Sequence, residues 1–454
     1  MNTNRTGKRS LRTGCRDARA ANRRHFLRVG SLPLLGMTLP QMLRIESALA
    51  AGGRRSSGKA QACILLWLNG GPSHIDMWDP KPNSSFDPVS TNVPGIQVSE
   101  LLPLSAQHMD QLSIIRSMKT PENNHGLAHH YAMTGHRPNP AMRFPALGPI
   151  LTNELSVRRS IPPNVMLPPV PTPYVDYFGA HFLGAGCDPL MIPDPHDDDF
   201  EIPDLKLPES LSIQRLGDRR EMLSIVDRLY RRKVIGAERV SMDTFQEQAL
   251  EMILSQSVRD AFDLSRESEK VKDAYGRNTL GQSALLARRL VEAGSRFVTV
   301  MDLKRDATGR DWDTHGTNDS QHRDHLVPPL DRALATLLSE LADRGLLDST
   351  VVMVMGEFGR THDINFSGGR DHWCHCWSLV LGGGGISGGR VVGASDERGA
   401  YVADRQISIG DLFATLYKAF GIDWTKEYLH PIGRPLKSAN SNDDETGRPI
   451  SELI

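Results

Sequence analysis

Two stretches of the chain are apolar without a break, Ala62–Leu68 (ACILLWL) and Thr350–Met355 (TVVMVM). Such short runs, rich in β-branched residues, predict strands buried on both faces, as in a parallel sheet. Leu112–Arg116, Phe297–Leu303 and Ser378–Leu381 predict further strands. Apolar residues at helical spacing predict helices over Leu101–Asp110, within Gly126–Thr134, and over Ser212–Arg232, Met242–Leu264, Asn278–Ala293 and Ile409–Phe420. Another opens with Pro328-Pro329, tolerated in a first turn, and runs to about Arg344, where Gly345 ends it. Strand, loop, helix, strand is the unit of a parallel sheet with right-handed crossovers, so the fold class is α/β. In open sheets of this kind, sites form at the carboxyl ends of the strands.

The N-terminus breaks this pattern. Residues 1–22 are basic and polar, followed by Asn22-Arg23-Arg24-His25-Phe26-Leu27-Arg28, the apolar run Val29–Leu43 and the small-residue end Ala48-Leu49-Ala50. This is a charged region, a modest apolar core and an A-x-A cleavage site, and the paired arginines match a twin-arginine export signal. Pro33, Gly36 and Pro40 interrupt the run, so it predicts no stable membrane span. The expected organisation is a signal over 1–50, a flexible lead-in over 51–60, one α/β domain over 61–440 and a tail over 441–454. Within the domain, residues 138–210 are proline-rich and read as an irregular insertion. The acidic run Asp194–Glu201 lacks the Gly-centred loop of an EF-hand and reads as a solvated loop.

Composition narrows the classes further. The chain has 454 residues, 39% hydrophobic and 24% charged, with a formal net charge of −1. No global field favours nucleic acid or an anionic membrane. The 40 Gly and 29 Pro point to long ordered loops rather than a helical bundle. Cys63 reads as a buried thiol, while Cys374 and Cys376 are too close for an unstrained disulfide, leaving packing, a free pair or a soft-metal contact.

Candidate chemistry gathers where strands end. Ala62–Leu68 empties into Asn69-Gly70-Gly71-Pro72-Ser73-His74-Ile75-Asp76, offering a hydroxyl and a carboxylate. Leu112–Arg116 leads to Ser117 and Thr120, then to a cluster of His125, His129, His130 and His136. On a helix His125 and His129 share a face, a spacing that suits a metal pair or donors to an anionic substrate. Phe297–Leu303 leads to Trp312-Asp313-Thr314-His315-Gly316, where Asp313 and His315 point the same way on extended backbone. Thr350–Met355 leads to Glu357 and Arg360, with Arg370, Asp371 and His372 on the loop beyond. Carboxylates and imidazoles favour zinc, manganese or iron over thiolate-bound structural zinc. Asp311, His322 and His325 could add ligands or support them. Arg360 or Arg370 could clamp an oxyanion in bidentate fashion. Two metals held by such a set would bind a nucleophilic oxygen and neutralise charge on a transferred group.

The leader, LWLNGGPSHIDMWDPKP (66–82), HHYAMTGH (129–136), WDTHG (312–316), GEFGRT (356–361) and GRDHW (369–373) together resemble the domain-of-unknown-function 1501 family, described as sulfatase-like and placed with the alkaline phosphatase superfamily. The resemblance spans roughly 60 to 440. It implies a three-layer α/β sandwich with a mostly parallel central sheet and a two-metal hydrolytic site. It implies metal ligation by Asp76, Asp313, His315, Glu357 and His372, with zinc the first expectation, and the residue pattern adds Asp371 to this set. Ser73, Ser117, His125 and Arg360 are the catalytic candidates, and His129, His130 and Arg370 the substrate-binding ones. Two departures matter. The superfamily's Asp-His pair at one strand end reads Gly356-Glu357 here, and the C-x-P-x-R context of formylglycine sulfatases is absent near Cys63 and Cys187. The expected function is an exported hydrolase of phosphate or sulfate esters, polysaccharide esters among them, with the twin-arginine machinery as partner. A non-catalytic exported binding protein and a metal-dependent isomerase or mutase stay open.

Overall fold

The computed structural model describes residues 59–155, 161–170, 174–202, 254–303, 311–441 and 444–454. The expected signal over 1–50, the expected lead-in up to residue 58, the helix expected over Ser212–Arg232 and the first part of the one expected over Met242–Leu264 lie outside the described residues. The strands of the main sheet are β1 (Ala62–Leu68), β2 (Leu112–Met118), β3 (Asn164–Leu167), β4 (Leu190–Met191), β5 (Phe297–Asp302), β6 (Thr350–Met355), β7 (Trp377–Gly383) and β8 (Arg390–Val392). They lie in the order β8-β2-β7-β6-β1-β5-β3-β4. β1 pairs in parallel with β5 and β6, while β7 alone runs against its neighbours β2 and β6. The sheet is therefore mostly parallel, with β1 near its middle.

Each face of the sheet carries its own core, because successive side chains of a strand point to opposite faces. Ile64, Leu66 and Leu68 of β1 join Val298, Val300, Val352 and Val354 in one core. Helices α3 (Thr279–Ala293) and α4 (Val327–Asp343) close it with Leu285, Leu290, Leu334 and Leu338. Cys63, Leu65 and Trp67 face the other way, with Met353, Met355, Leu379 and Leu381. There α1 (His125–Thr134), α2 (Leu147–Glu154) and α5 (Ile409–Ala419) supply Tyr131, Leu151, Phe413 and Leu416. Two helical layers over one sheet make the three-layer sandwich. The unbroken apolar runs of β1 and β6 follow from this, since neither face of either strand meets water.

Helix ends follow local chemistry. Asn278 caps α3 by accepting from the Gly281 amide, and Gly294 ends it in a left-handed turn. Ser408 and Asp411 form a reciprocal capping box on α5. Several details refine the pattern reading. The helix expected over Leu101–Asp110 is only a short 3-10 turn, Ser105–His108, whose entry is held by Asp331 accepting from the Leu104 and Ser105 amides. Within the proline-rich stretch, the described residues include α2 and the strands β3 and β4, the last two on that side of the sheet. The acidic loop is exposed over residues 196–199, but Asp194 is buried and accepts from Thr279 Oγ1 at the start of α3, at 2.5 Å. At the other end, Ile450 and Leu453 are packed into the second core rather than trailing in solvent. Cys63, Cys374 and Cys376 are buried free thiols. Among the described residues no helix is long and apolar enough to cross a membrane.

Burial also sets a pH limit on the fold. Burial pushes the His136 imidazole, stacked on Phe144, down to about 4, and lowers His74, His130, His181 and His322 as well. A folded-state pKa below the unfolded value means that the unfolded chain takes up the proton first. The stability these groups contribute is therefore present above about pH 6.5 and is lost as pH falls towards the folded values. The thermal midpoint should fall as pH is lowered from about 7 to about 5. A flat or rising midpoint in scanning calorimetry across that window would show that these rings are not buried neutral.

Candidate metal centre

The carboxyl ends of β1, β5 and β6, with α1 above them, bring one cluster together. Two close approaches of backbone make this possible. Gly70, at φ +116°, lies so near the Asp313 amide that a Cβ would fall 2.4 Å from its nitrogen. A Cβ on Gly369 would fall 2.0 Å from the His315 carbonyl carbon. Only glycine allows the loop after β1 and the Gly369–Trp373 segment to press this closely on Trp312–Gly316. A two-stranded ribbon then pairs His372 with Arg360 and Trp373 with Gly359.

At the centre lie His125, Asp313 and His372, whose donor atoms all fall within 4.8 Å of one another. The His125 Nε2 is 3.3 Å from Asp313 Oδ2, and the His372 Nε2 is 3.1 Å from Asp313 Oδ1. Their side chains are 25%, 31% and 21% exposed, so a ligand can reach them from solvent. Each imidazole is held by its other nitrogen. His125 Nδ1 is 2.7 Å from Glu357 Oε1, and His372 Nδ1 is 2.8 Å from the Asn123 carbonyl oxygen. Carboxylate or carbonyl partners on one ring nitrogen are what orient histidine ligands, leaving both Nε2 atoms for a metal. Two nitrogens and a carboxylate oxygen fit zinc, manganese or iron(II).

Around this triad a second ring of groups is arranged. Glu357 is fully buried, accepts from the Gly70 amide at 3.1 Å and lies 3.9 Å from His129 Nε2. Burial works against its charge, but the neighbouring His129 and the His125 bond hold its carboxyl below the usual range. His129 in turn meets Asn69 Oδ1 at 2.9 Å. His315 Nδ1 is 2.6 Å from Asp371 Oδ1, and its Nε2 is 2.9 Å from His372 Nε2. Burial alone would raise the Asp313 carboxyl, yet bonds from His125, His372 and Arg360 hold it well below the carboxylate range. Burial likewise opposes charge on His125, but Asp313 and Glu357 push its imidazole up to about 9. Phe358 closes the floor, its ring centroid 4.6 Å from that of His372 and 5.2 Å from that of His125.

Several expected site residues stand apart from the triad. Asp76 is fully buried, 2.8 Å from Arg370 Nε, and accepts from Ser73 Oγ and Ser84 Oγ at 2.6 Å and from Asn318 Nδ2 at 2.9 Å. Its oxygens are therefore committed, and Ser73 and Arg370 are committed with it. Arg370 also donates to the carbonyls of Thr361, His362 and Asn83, so no fork is left for an oxyanion. The same is true of Arg360. It is fully buried and donates to Gly70 O, to Gly71 O at 2.8 Å, to Arg370 O at 3.0 Å and to Asp313 Oδ1 at 2.6 Å. Ser117 Oγ donates to Arg405 O, and His130 Nδ1 meets His136 O, with its ring against Phe144 and Tyr177. Glu357 and Asp371 stand one bond back from the triad, holding His125 and His315. Asp311 accepts from the Asp313 amide, and His322 is buried edge-on against Trp312. Asn69, Asn123 and Phe358 were not anticipated. Asn69 is the first residue after β1, and that position was the signal available for it.

A family model described as "Protein of unknown function (DUF1501)" matches residues 60–454. No curated protein matches the sequence. Among solved structures the chain is similar to a protein in the alkaline phosphatase superfamily from Vibrio parahaemolyticus, at 12% identity and TM-score 0.40, covering 81% of this chain and 67% of that one. It is similar to the PsFucS1 sulfatase from Pseudoalteromonas sp., at 12% identity and TM-score 0.34, covering 84% and 70%. It is also similar to the C-terminal periplasmic domain of EcEptC from Escherichia coli in complex with zinc, at 9% identity and TM-score 0.38, covering 88% and 93%.

Two outcomes follow from this geometry. His125→Ala, Asp313→Ala and His372→Ala should each remove zinc from the protein, and Glu357→Gln should weaken its binding by about 10–100-fold. His130→Ala should leave it unchanged, with all five read by elemental analysis and chelator competition. Separately, Asp76→Ala strands the buried Arg370 guanidinium and should cost about 3–5 kcal/mol in denaturant unfolding. A cost below about 1 kcal/mol would mean that water reaches that pair.

Proposed function

The chain belongs to the DUF1501 family, and from its own site we propose that it is a metal-dependent hydrolase of phosphate or sulfate esters. The observation behind this reading is the half-buried His125–Asp313–His372 triad at the carboxyl ends of parallel strands. A divalent metal there would act as a Lewis acid and lower the pKa of a bound water. The chain's own residues would do the rest. Glu357 holds His125 with its Nε2 turned to the triad. Arg360, whose donors are all taken, fixes Asp313 in the site rather than touching an oxyanion itself. His315, oriented by Asp371 and half exposed, has its Nε2 2.9 Å from His372 Nε2 and would pass a proton to the leaving oxygen.

The leader over residues 1–50 supports export through the twin-arginine pathway, which carries folded protein and so permits metal loading beforehand. A second reading, a binding protein without turnover, has one observation in its favour. The two serines nearest the candidate strand ends, Ser73 and Ser117, are bound to Asp76 and to Arg405 O rather than presented to the triad.

The test is hydrolysis of p-nitrophenyl phosphate, p-nitrophenyl sulfate and the matching alkyl esters by the exported protein. Activity should vanish with chelator and return with zinc, manganese or iron(II). His315→Ala should lower kcat on alkyl esters by about 10²-fold or more. The loss should be much smaller on p-nitrophenyl esters, whose leaving group needs no proton. Metal-loaded protein inert on the whole panel would favour the binding protein.

A further inference from the structure

A fully buried arginine beside a metal-binding carboxylate raises the question of how many metals the site can take. Resting on the reading of the triad as a metal site, we infer that the centre binds one divalent cation, and that Arg360 provides the second positive charge that a two-metal site would take from a second ion.

The geometry around Asp313 is the first reason. A carboxylate that bridges two metals through both of its oxygens needs both free. Here Oδ1 already accepts from Arg360 Nη2 at 2.6 Å, leaving Oδ2 facing His125. The guanidinium cannot move aside. It has no exposed surface, and its other donors go to the carbonyls of Gly70, Gly71 and Arg370. Arginine stays charged in such a place, because its pKa lies too high for burial to neutralise it. Swinging it out would leave three buried carbonyls without a partner.

The second reason is the shortage of ligands for another ion. Of the remaining carboxylates, Asp76 is held by Arg370, Glu357 by the Gly70 amide and His125, and Asp371 by His315 and Asn365. Among the described residues only one group of three donors comes within metal-binding distance.

The experiment is stoichiometry followed by a charge swap. Full-length protein is stripped with chelator and titrated with Zn²⁺ and, separately, Mn²⁺, with bound metal read by elemental mass spectrometry. One equivalent is expected. Two would overturn the inference while keeping the metal-site reading. None, in folded protein, would overturn both. Arg360→Gln removes the charge, and should bind the first Zn²⁺ about tenfold tighter or admit a second equivalent. Arg360→Lys keeps the charge and should stay at one equivalent with affinity near that of the wild type. Weaker binding by a folded Arg360→Gln than by Arg360→Lys would make Arg360 a structural tie only, against the inference. Should Arg360→Gln fail to fold, the wild-type stoichiometry and Arg360→Lys decide the question.

Discussion

A guanidinium taken wholly out of water must find a carbonyl or carboxylate for its donors, and Arg360 finds them on three separate loops. Gly70 and Gly71 belong to the loop after β1, Asp313 to the loop after β5, and Arg370 to the segment that brings His372. Each bond is worth something on its own, but the constraint matters more: leaving any of these buried groups unpaired costs more than a made bond contributes. The loops are therefore positioned relative to one another by the need to satisfy one side chain. The glycines at 70 and 369 are the complement of this demand, since any Cβ there would push the loops apart.

Beneath this tie lies a second one. Asp76 and Arg370 form a fully buried ion pair, supported by Ser73, Ser84 and Asn318. Such pairs add little net stability compared with apolar packing, yet breaking one is expensive. Its effect here is on shape. Arg370 sits between Arg360, which takes its carbonyl, and His372, two residues on along the ribbon. A fixed Arg370 thus fixes both. The triad is open to solvent, while the groups that set its geometry are not, which is the arrangement a rigid ligand site requires.

Much of the fold was legible because its strands are buried on both faces. β1 and β6 announce themselves as unbroken apolar runs, and α3, α4 and α5 show clear apolar faces with their own stops. The last two strands on one side of the sheet were not legible. β3 and β4 are short and sit among prolines, so nothing in their composition separates them from loop. Leu101–Asp110 failed for a different reason: its leucines pack as turns held by Asp331, a partner more than two hundred residues away that no local pattern could show.

The site was legible in part, and Asp76 and Asp313 show why. Both are aspartates on loops that follow a central strand, with a serine or threonine and a histidine close by. Sequence treats them alike. In space, Asp76 meets a buried arginine and hydroxyls that use up its oxygens, whereas Asp313 shares Oδ1 between Arg360 and His372 and keeps Oδ2 towards His125. Burial decides which carboxylate can receive a cation and which has already received a side chain in its place. The same test separates His125 from His130 on one helix. Five positions from the start of α1 turn His130 towards Phe144 and Tyr177, while His125 stays at the mouth between Glu357 and Asp313. Residue type proposes a ligand, but the competition for its lone pairs settles the matter, and that competition is fixed by contacts between loops far apart in the chain.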